Sequence, residues 1–329
     1  MNGDHGKPNA SGANNYFRTA NTTDDAQRYL VRSDFHASPN DNIFARYYQS
    51  NRDRFIPGNF GGIADGTSTS AWGRQNMKTY TFAAGWNRTL GSSGLNELRF
   101  GYNKADSEAV QDPFGQSGVP VPGVPNDPRI AGGLPGVNFS TGGYRLGSPD
   151  FLPKYQRTSQ FQFTDALSLF RGANQWKFGV DLMMPMRNTF LDVPAMRGSV
   201  TFGTTFTGNV LGDFLLGYVR DAQLSNVAET HQELSAYSFY VQDDWKPASN
   251  LTVNAGVRYD FMTPQLERDN HIANFDASTA RLLQAKDGSM EERALVKPDR
   301  NNFAPRVGLA WSPPVTLSSG RKMVFRAGT

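Results

Sequence analysis

The sequence predicts an all-β fold: an antiparallel up-and-down transmembrane β-barrel, present in part, with about ten strands of a larger barrel and long extracellular loops. Three observations predict it. Apolar and polar residues alternate strictly over segment after segment, which is the period of a strand and of no helix. Connections alternate between short turns and long loops, the rhythm of such a barrel. A mean hydropathy of −0.52 goes with 12% aromatic residues, which suits an apolar outer face around a wet interior.

The clearest strand is 251–261. One face reads Leu251, Val253, Ala255, Val257, Tyr259 and Phe261, and the other Thr252, Asn254, Gly256, Arg258 and Asp260. The first set should face outward and the second the concave side. Residues 176–184 set Trp176, Phe178, Val180, Leu182 and Met184 against Lys177, Gly179, Asp181 and Met183. Residues 80–86 set Tyr80, Phe82, Ala84 and Trp86 against Thr81, Ala83 and Gly85. Shorter versions run over 98–102, with Arg99 and Gly101 on the polar side, and over 303–311, with Arg306 and Gly308 there. Weaker strands are expected at 27–37, 42–51, 154–170, 232–246 and from 322 to the end. Two of these place a carboxylate, Asp165 or Asp243, on the apolar face. Both lie within a few residues of a tight turn, so they belong at the membrane edge, where a charge costs least.

Short turns rich in Gly, Pro, Asn and Ser fall at 38–41, 91–94, 171–174 and 247–250, as turn chemistry requires. Long loops fall at 53–75, 109–153, 188–231 and 263–302; a compact soluble domain seldom has so many. Trp86, Trp176, Trp245 and Trp311 stand near short turns, where an interfacial aromatic girdle would lie. Within 188–231, residues 209–217 predict a short helix and 218–227 an extended stretch. Up-down parity keeps that whole region a folded outer loop. The loop 109–153 is rich in Gly and Pro, as at 118–123, and reads equally as a connector or as a ligand-contacting loop.

No stretch approaches the ~18 apolar residues of a membrane helix, so a membrane core could be crossed only by a closed barrel. With 33 basic and 30 acidic residues the net charge is +3, and no Lys/Arg-rich run occurs, which argues against a nucleic-acid partner. Cysteine is absent, which removes disulfides and thiolate metal sites. The histidines His5, His36, His231 and His271 show no metal-ligand spacing, and no P-loop, dinucleotide fingerprint, nucleophile elbow or zincin motif occurs. The chain is therefore expected to be no enzyme and to need no cofactor. The carboxylate pair Asp243-Asp244 reads as structural. The residues expected to face the lumen and able to touch a solute are Arg99, Lys177, Asp181, Arg258, Asp260, Arg306 and Arg326. For each one singly, a place in a salt-linked ladder is the plainer role. The first residues hold no apolar h-region, and the last stop inside a strand pattern. A piece of a longer protein is expected, with 1–26 a loop of the parent and 27–329 a partial barrel domain.

Several strings carry a resemblance. They are Ser238-Phe239-Tyr240-Val241-Gln242-Asp243-Asp244-Trp245-Lys246, followed by Leu251-Thr252-Val253-Asn254-Ala255-Gly256-Val257-Arg258-Tyr259-Asp260. Asn302-Phe303-Ala304-Pro305-Arg306-Val307-Gly308-Leu309-Ala310-Trp311, Gly208-Asn209-Val210-Leu211-Gly212-Asp213-Phe214-Leu215-Leu216-Gly217 and Trp176-Lys177-Phe178-Gly179-Val180-Asp181 join them in the same order. Together they resemble the TonB-dependent receptor superfamily, specifically its Oar-like barrels, from about residue 27 to the end. The resemblance implies a bacterial outer-membrane location, contact with outer-membrane lipid, and energised uptake of a large solute such as a glycan, peptide or metal chelate. It also implies partners outside this sequence: a plug domain, the remaining strands of a barrel of about 22, and the TonB complex reached through an N-terminal region. No plug, TonB box or terminal aromatic strand is seen here, so import is expected of the parent protein. Two other readings share the alternating strands: a soluble carbohydrate-binding β-sandwich module, and a passive porin or adhesin barrel.

Overall fold

The computed structural model describes residues 16, 18–64, 73–115, 127–142, 145–315 and 323–329. The chain folds hairpin by hairpin. Strands β1 (Thr23–Ser38) and β2 (Asp41–Ile56) form the first hairpin, and β3 (Gly73–Thr89) and β4 (Gly94–Val110) the second. The loop that follows holds β5 (Gly136–Phe139) and β6 (Arg145–Leu146). The third hairpin is β7 (Lys154–Arg171) with β8 (Asn174–Leu191). Its loop carries β9 (Ser199–Phe202), helix α1 (Val210–Leu215) and β10 (Val219–Gln223). The fourth hairpin, β11 (Thr230–Ala248) with β12 (Leu251–Met262), leads into β13 (Leu266–Glu267), β14 (Ala273–Asp276), β15 (Arg281–Gln284) and helix α2 (Met290–Ala294). The chain closes with β16 (Phe303–Trp311) and β17 (Phe325–Gly328). Residue 322, where the last strand was expected to start, lies outside the described residues.

The long strands lie in the order β1-β2-β3-β4-β7-β8-β11-β12-β16-β17, with β13 added beside β11. Every neighbour pair is antiparallel, so the sheet is the expected up-and-down meander. Among the described residues β1 and β17 do not pair, and the sheet is an open partial barrel. Register sorts the side chains into two faces, because directly paired residues point the same way. On one face Phe82 pairs with Tyr102, Tyr102 with Phe161, Phe163 with Leu182, Leu182 with Tyr237 and Tyr237 with Phe261. Ring contacts run along it, at 4.6 Å for Tyr102–Phe161 and 4.7 Å for Tyr259–Phe303. These rings remain solvent-exposed to a degree unusual for a buried core: Phe100 is 38% exposed, Phe178 40% and Phe239 47%.

The strands are longer than the alternation suggested. β2, β4, β8 and β11 have 16, 17, 18 and 19 residues, against about 9–11 that cross a bilayer. The surplus lies away from the short turns, in runs such as Asn51-Arg52-Asp53-Arg54 and Asn103-Lys104-Ala105-Asp106. Outside the bilayer both faces of a strand can be wet, and the alternation fades there. The expected loop at 53–75 therefore shrinks at both ends, β4 runs on to Val110, and β8 runs on to Leu191. In β8 the register slips at Pro185, between the pairs Leu234–Met186 and Ala236–Met183. A bulge is where a strand tolerates a residue with no N–H to donate.

The loops after β4 and β8 fold together. β5 runs parallel to β9, and the order β10-β9-β5-β6 makes a second, small sheet. Phe139, Phe202 and Val210 are its core, with the Phe214 ring edge-on to Phe139 at 5.2 Å and to Phe202 at 5.1 Å. Ile130, Leu191 and Met196 form a neighbouring cluster. Buried polar side chains tie the loops down. Gln111 Nε2 donates to the carbonyls of Ile130, Ala131 and Gly132. The Arg197 guanidinium donates to those of Gly132 and Leu134, and burial pushes its pKa down to about 10. Asp213 accepts from the Thr207 N–H at 2.7 Å, the Thr207 hydroxyl at 2.6 Å and the Phe206 N–H at 3.2 Å. Burial alone would raise this carboxyl; those donors hold it below the usual range. The loop 109–153, read from its composition as a connector or a ligand loop, is thus in part a folded element. Its run 118–123 lies outside the described residues.

Candidate functional site

The face opposite the aromatic one carries the charges, and all seven residues singled out from the sequence stand on it. Arg99, Asp181 and Asp260 fall on a single row across the sheet, Arg99–Thr164–Asp181–Ser238–Asp260. Lys177 and Arg306 share another, Lys177–Gln242–Gly256–Arg306. Arg258 pairs with Tyr240, and Arg326 with Ala310 near the β17 edge. Only Arg258 and Asp260 meet directly, with Nε 2.9 Å from Oδ1. Ser238 also donates to Asp260, Gln162 donates to Asp181 at 3.1 Å, and Arg99 reaches Glu97 at 2.9 Å. Lys177, Arg258 and Arg306 line one cavity of about 540 Å³ with Tyr240, Gln242 and Asn254.

Two rings on this face lie over glycine. Phe44 is paired with Gly85 and Tyr240 with Gly179, and a Cβ on either glycine would run into its ring. Here the missing side chain lets an aromatic ring lie flat across the neighbouring strand. Phe44 is flanked by two guanidinium groups, Arg32 at 4.9 Å and Arg99 at 6.0 Å from its centroid.

Three carboxylates on the aromatic face, Asp165, Asp243 and Asp41, sit at the short-turn end, and each is held by a hydrogen-bond donor. Asn96 donates to Asp165 at 2.7 Å, Asn174 donates to Asp243, and the Trp86 indole donates to Asp41 at 2.9 Å. Asp243 and Asp244 are adjacent in sequence but point to opposite faces. Asp244 accepts from Gln242 and Asn254 on the polar side, so the two form no carboxylate dyad.

Sequence reasoning missed a second polar cavity, of about 440 Å³, at the outer ends of β2, β3, β4, β7 and β8. Its walls include Arg52, Arg54, Gln75, Lys154, Gln156 and Asn188. Asp24 pairs with Arg52 at 2.5 Å and Arg54 at 3.7 Å, and Asp192 pairs with Lys154 at 2.9 Å. Arg46, Arg52 and Arg54 share one face of β2, a spacing that runs past residue 53, where a loop is expected.

A family model described as "Outer membrane beta barrel domain" matches residues 5–329. A search of curated proteins finds no match. Among solved structures, the chain is similar to the outer membrane transporter YddB from Escherichia coli, at 11% identity and TM-score 0.47, covering 94% of this chain and 40% of that one. The ferripyoverdine receptor of the outer membrane of Pseudomonas aeruginosa gives 9% identity, TM-score 0.48, and 88% and 34% coverage. BauA, the ferric preacinetobactin receptor from Acinetobacter baumannii, gives 11% identity, TM-score 0.46, and 92% and 43% coverage. This chain thus spans less than half the length of each. Its meander of long strands, aromatic on one face and charged on the other, agrees with the match over residues 5–329: the chain belongs to the outer membrane beta barrel domain family, and its place is the bacterial outer membrane.

Proposed function

We propose that this chain is part of the barrel wall of a TonB-dependent receptor that takes up a large solute, such as a metal chelate, glycan or peptide, with energy relayed from the inner membrane. The observation that supports it best is the division of one long sheet into an exposed aromatic face and a charged face. In this reading the aromatic face meets outer-membrane lipid, and Arg99, Lys177, Asp181, Arg258, Asp260, Arg306 and Arg326 look into the lumen. Cations outnumber carboxylates among those seven, and Arg52, Arg54 and Lys154 add to them at the outer cavity, so a solute rich in anionic oxygens is favoured. Residues 27–329 are the barrel part, and 1–26 connect it to the rest of the parent. Strands of the parent pair with the β1 and β17 edges, since open edges are untenable in hydrocarbon. A plug fills the lumen, and the TonB complex acts through a region beyond this sequence. A β-sandwich would bury the aromatic face against a second sheet, and Phe178 and Phe239 are instead exposed.

The test is uptake by cells making the complete protein, with and without collapse of the proton-motive force. Solute binding should persist while uptake stops. Replacing Arg258 and Arg306 together by glutamine should weaken binding by roughly tenfold or more without changing the amount of protein in the membrane. Uptake that continues after the force is collapsed would mark a passive porin and overturn the reading.

A further inference from the structure

Two of the four histidines, forty residues apart in sequence, come together at the outer end of β11. The cause is β13, which pairs antiparallel with the start of β11 through Gln232–Glu267 and Glu233–Leu266. The chain then turns tightly through Asn270, whose φ is +60°, and brings the run Glu267-Arg268-Asp269-Asn270-His271 back beside His231. Ligand atoms of His231, Glu267 and Asp269 all lie within 4.8 Å of one another. His271 Nδ1 is 3.9 Å from Glu267 Oε2.

The hydrogen-bond arithmetic of His231 carries the argument. Its Nδ1 is 2.8 Å from Asp269 Oδ2, and its Nε2 is 3.1 Å from Glu229 Oε1. Both ring nitrogens thus face carboxylate oxygen. A neutral imidazole has one N–H, so it satisfies only one of these contacts. The other contact sets a ring lone pair beside a carboxylate oxygen, the kind of donor pair a metal ion takes up. With Nε2–H donating to Glu229, the ring is oriented as a metal-bound histidine is oriented by its outer carboxylate.

Glu267 adds a second observation. It is 1% exposed, and its carboxylate accepts from the backbone N–H groups of His231 at 2.8 Å, Asp269 at 2.9 Å and His271 at 2.7 Å. Three amides fix its position, and among the described residues its one ion-pair contact within 4 Å is to the His271 ring, with Nδ1 at 3.9 Å. Buried carboxylates ordinarily have an opposite charge or a metal. Two arginines stand at the rim and would compete: Arg129, 3.3 Å from Glu229 but closer to Asp127 at 2.6 Å, and Arg268, 3.5 Å from Asp269.

We infer that His231, Glu267 and Asp269, with His271 as a fourth donor, form a binding site for a divalent transition metal of the zinc class. Imidazole with carboxylate suits zinc and its neighbours, whereas calcium and magnesium prefer oxygen alone. The ion enters from the outer aqueous side and staples the 267–271 turn to β11. It is independent of the lumen-facing charges and of any solute carried through them.

The experiment uses the polypeptide as the cell makes it, extracted from outer membranes in detergent, stripped with chelator and titrated with Zn²⁺ alone. One equivalent per chain should bind. Asp269→Asn and His231→Gln should each weaken binding by at least ~100-fold, the upper end of what loss of an outer-shell partner costs. His36→Gln, far from the turn, should leave it unchanged. Because His231→Gln could unsettle β11, a second measurement uses the unaltered chain: Zn²⁺ should protect His231 and His271, and not His36, from diethyl pyrocarbonate. Absence of a stoichiometric site, equal affinity in the Asp269→Asn chain, or no protection of His231 would each overturn the inference.

Discussion

The membrane sheet and the small outer sheet both satisfy backbone groups by pairing strands, but with very different support. In the membrane sheet the ladders do it, residue by residue, between neighbours in the chain. Side chains are then free to be sorted by face, rings to one side and charges to the other. In the outer sheet the strands are two to five residues long, and its parallel pair, β5 with β9, joins two different loops. Its short ladders are supplemented by buried polar side chains that hold the flanking loop backbone: Gln111, Arg197 and Asp213. The bilayer makes alternation compulsory in one region. In the other, a few aromatic contacts and polar clamps suffice, and the sequence carries no period.

The sharpest break between the two regions should come from Phe202→Ala. Phe202 is buried against Phe139 and Phe214, and removing such a ring costs about 3–5 kcal/mol. The loss should stay local. Proteases should gain access to 195–225 while the membrane strands remain protected. Cleavage appearing in β8 and β11 at the same rate would show that the two sheets unfold as one unit.

A somewhat smaller effect is expected from Val257→Arg. Val257 lies mid-strand on the aromatic face, paired with Val241 and Pro305. An arginine facing lipid near the midplane costs about 2–4 kcal/mol. Moving the change by one residue sharpens the comparison. Arg258→Val alters the polar face, where its partner is Asp260, and should leave the membrane-assembled fraction nearly unchanged. Equal losses of assembled protein from the two variants would erase the distinction between the faces.

Legibility followed the same division. Residues 251–261 and 176–184 were readable as strands, face by face, because lipid enforces the alternation; their pairing order followed from short turns such as 247–250. The placement of Asp165 and Asp243 at the membrane edge was readable from their distance to a turn. Their donors, Asn96 and Asn174, lie on other strands and were not. Strand ends such as 103–110 are not legible because wet strands lose their apolar period, and 52–54 keep only the arginine spacing. The outer sheet was legible only in its helix and in the extended stretch at 218–227 that holds β10: Val137 meets Val200 across the whole β7–β8 hairpin. Of the polar face, membership of each residue could be read and adjacency could not. Nothing local says that Arg99, Asp181 and Asp260 fall on one row, or that His231 and His271 meet at Glu267.

The smallest effect concerns the fourth long loop and tests whether polar clamping is general outside the membrane. Helix α2 has only five residues and depends on its cap. Ser289 Oγ accepts from the Glu292 N–H at 3.3 Å, and the Glu292 carboxylate accepts from the Ser289 N–H at 2.8 Å while pairing with Lys286 at 3.1 Å. The Ser289 N–H, then Lys286, lower the Glu292 pKa from the ordinary 4.5 to about 2. A depressed carboxyl stabilises the folded form above its ordinary pKa and loses that contribution as pH falls through the window down to the folded value. The helix should therefore loosen between about pH 4.5 and 2, and only slightly, because the group is exposed and screened. The chain has no cysteine, so Met290→Cys gives a single attachment point for a spin label. Its mobility should rise across that window, while a Glu292→Ala version of the same labelled chain, which keeps no acceptor for the Ser289 N–H, should already be mobile at neutral pH and change little in acid. A label that stays fixed down to pH 2 would mean that packing against β13, and not the cap, holds this loop.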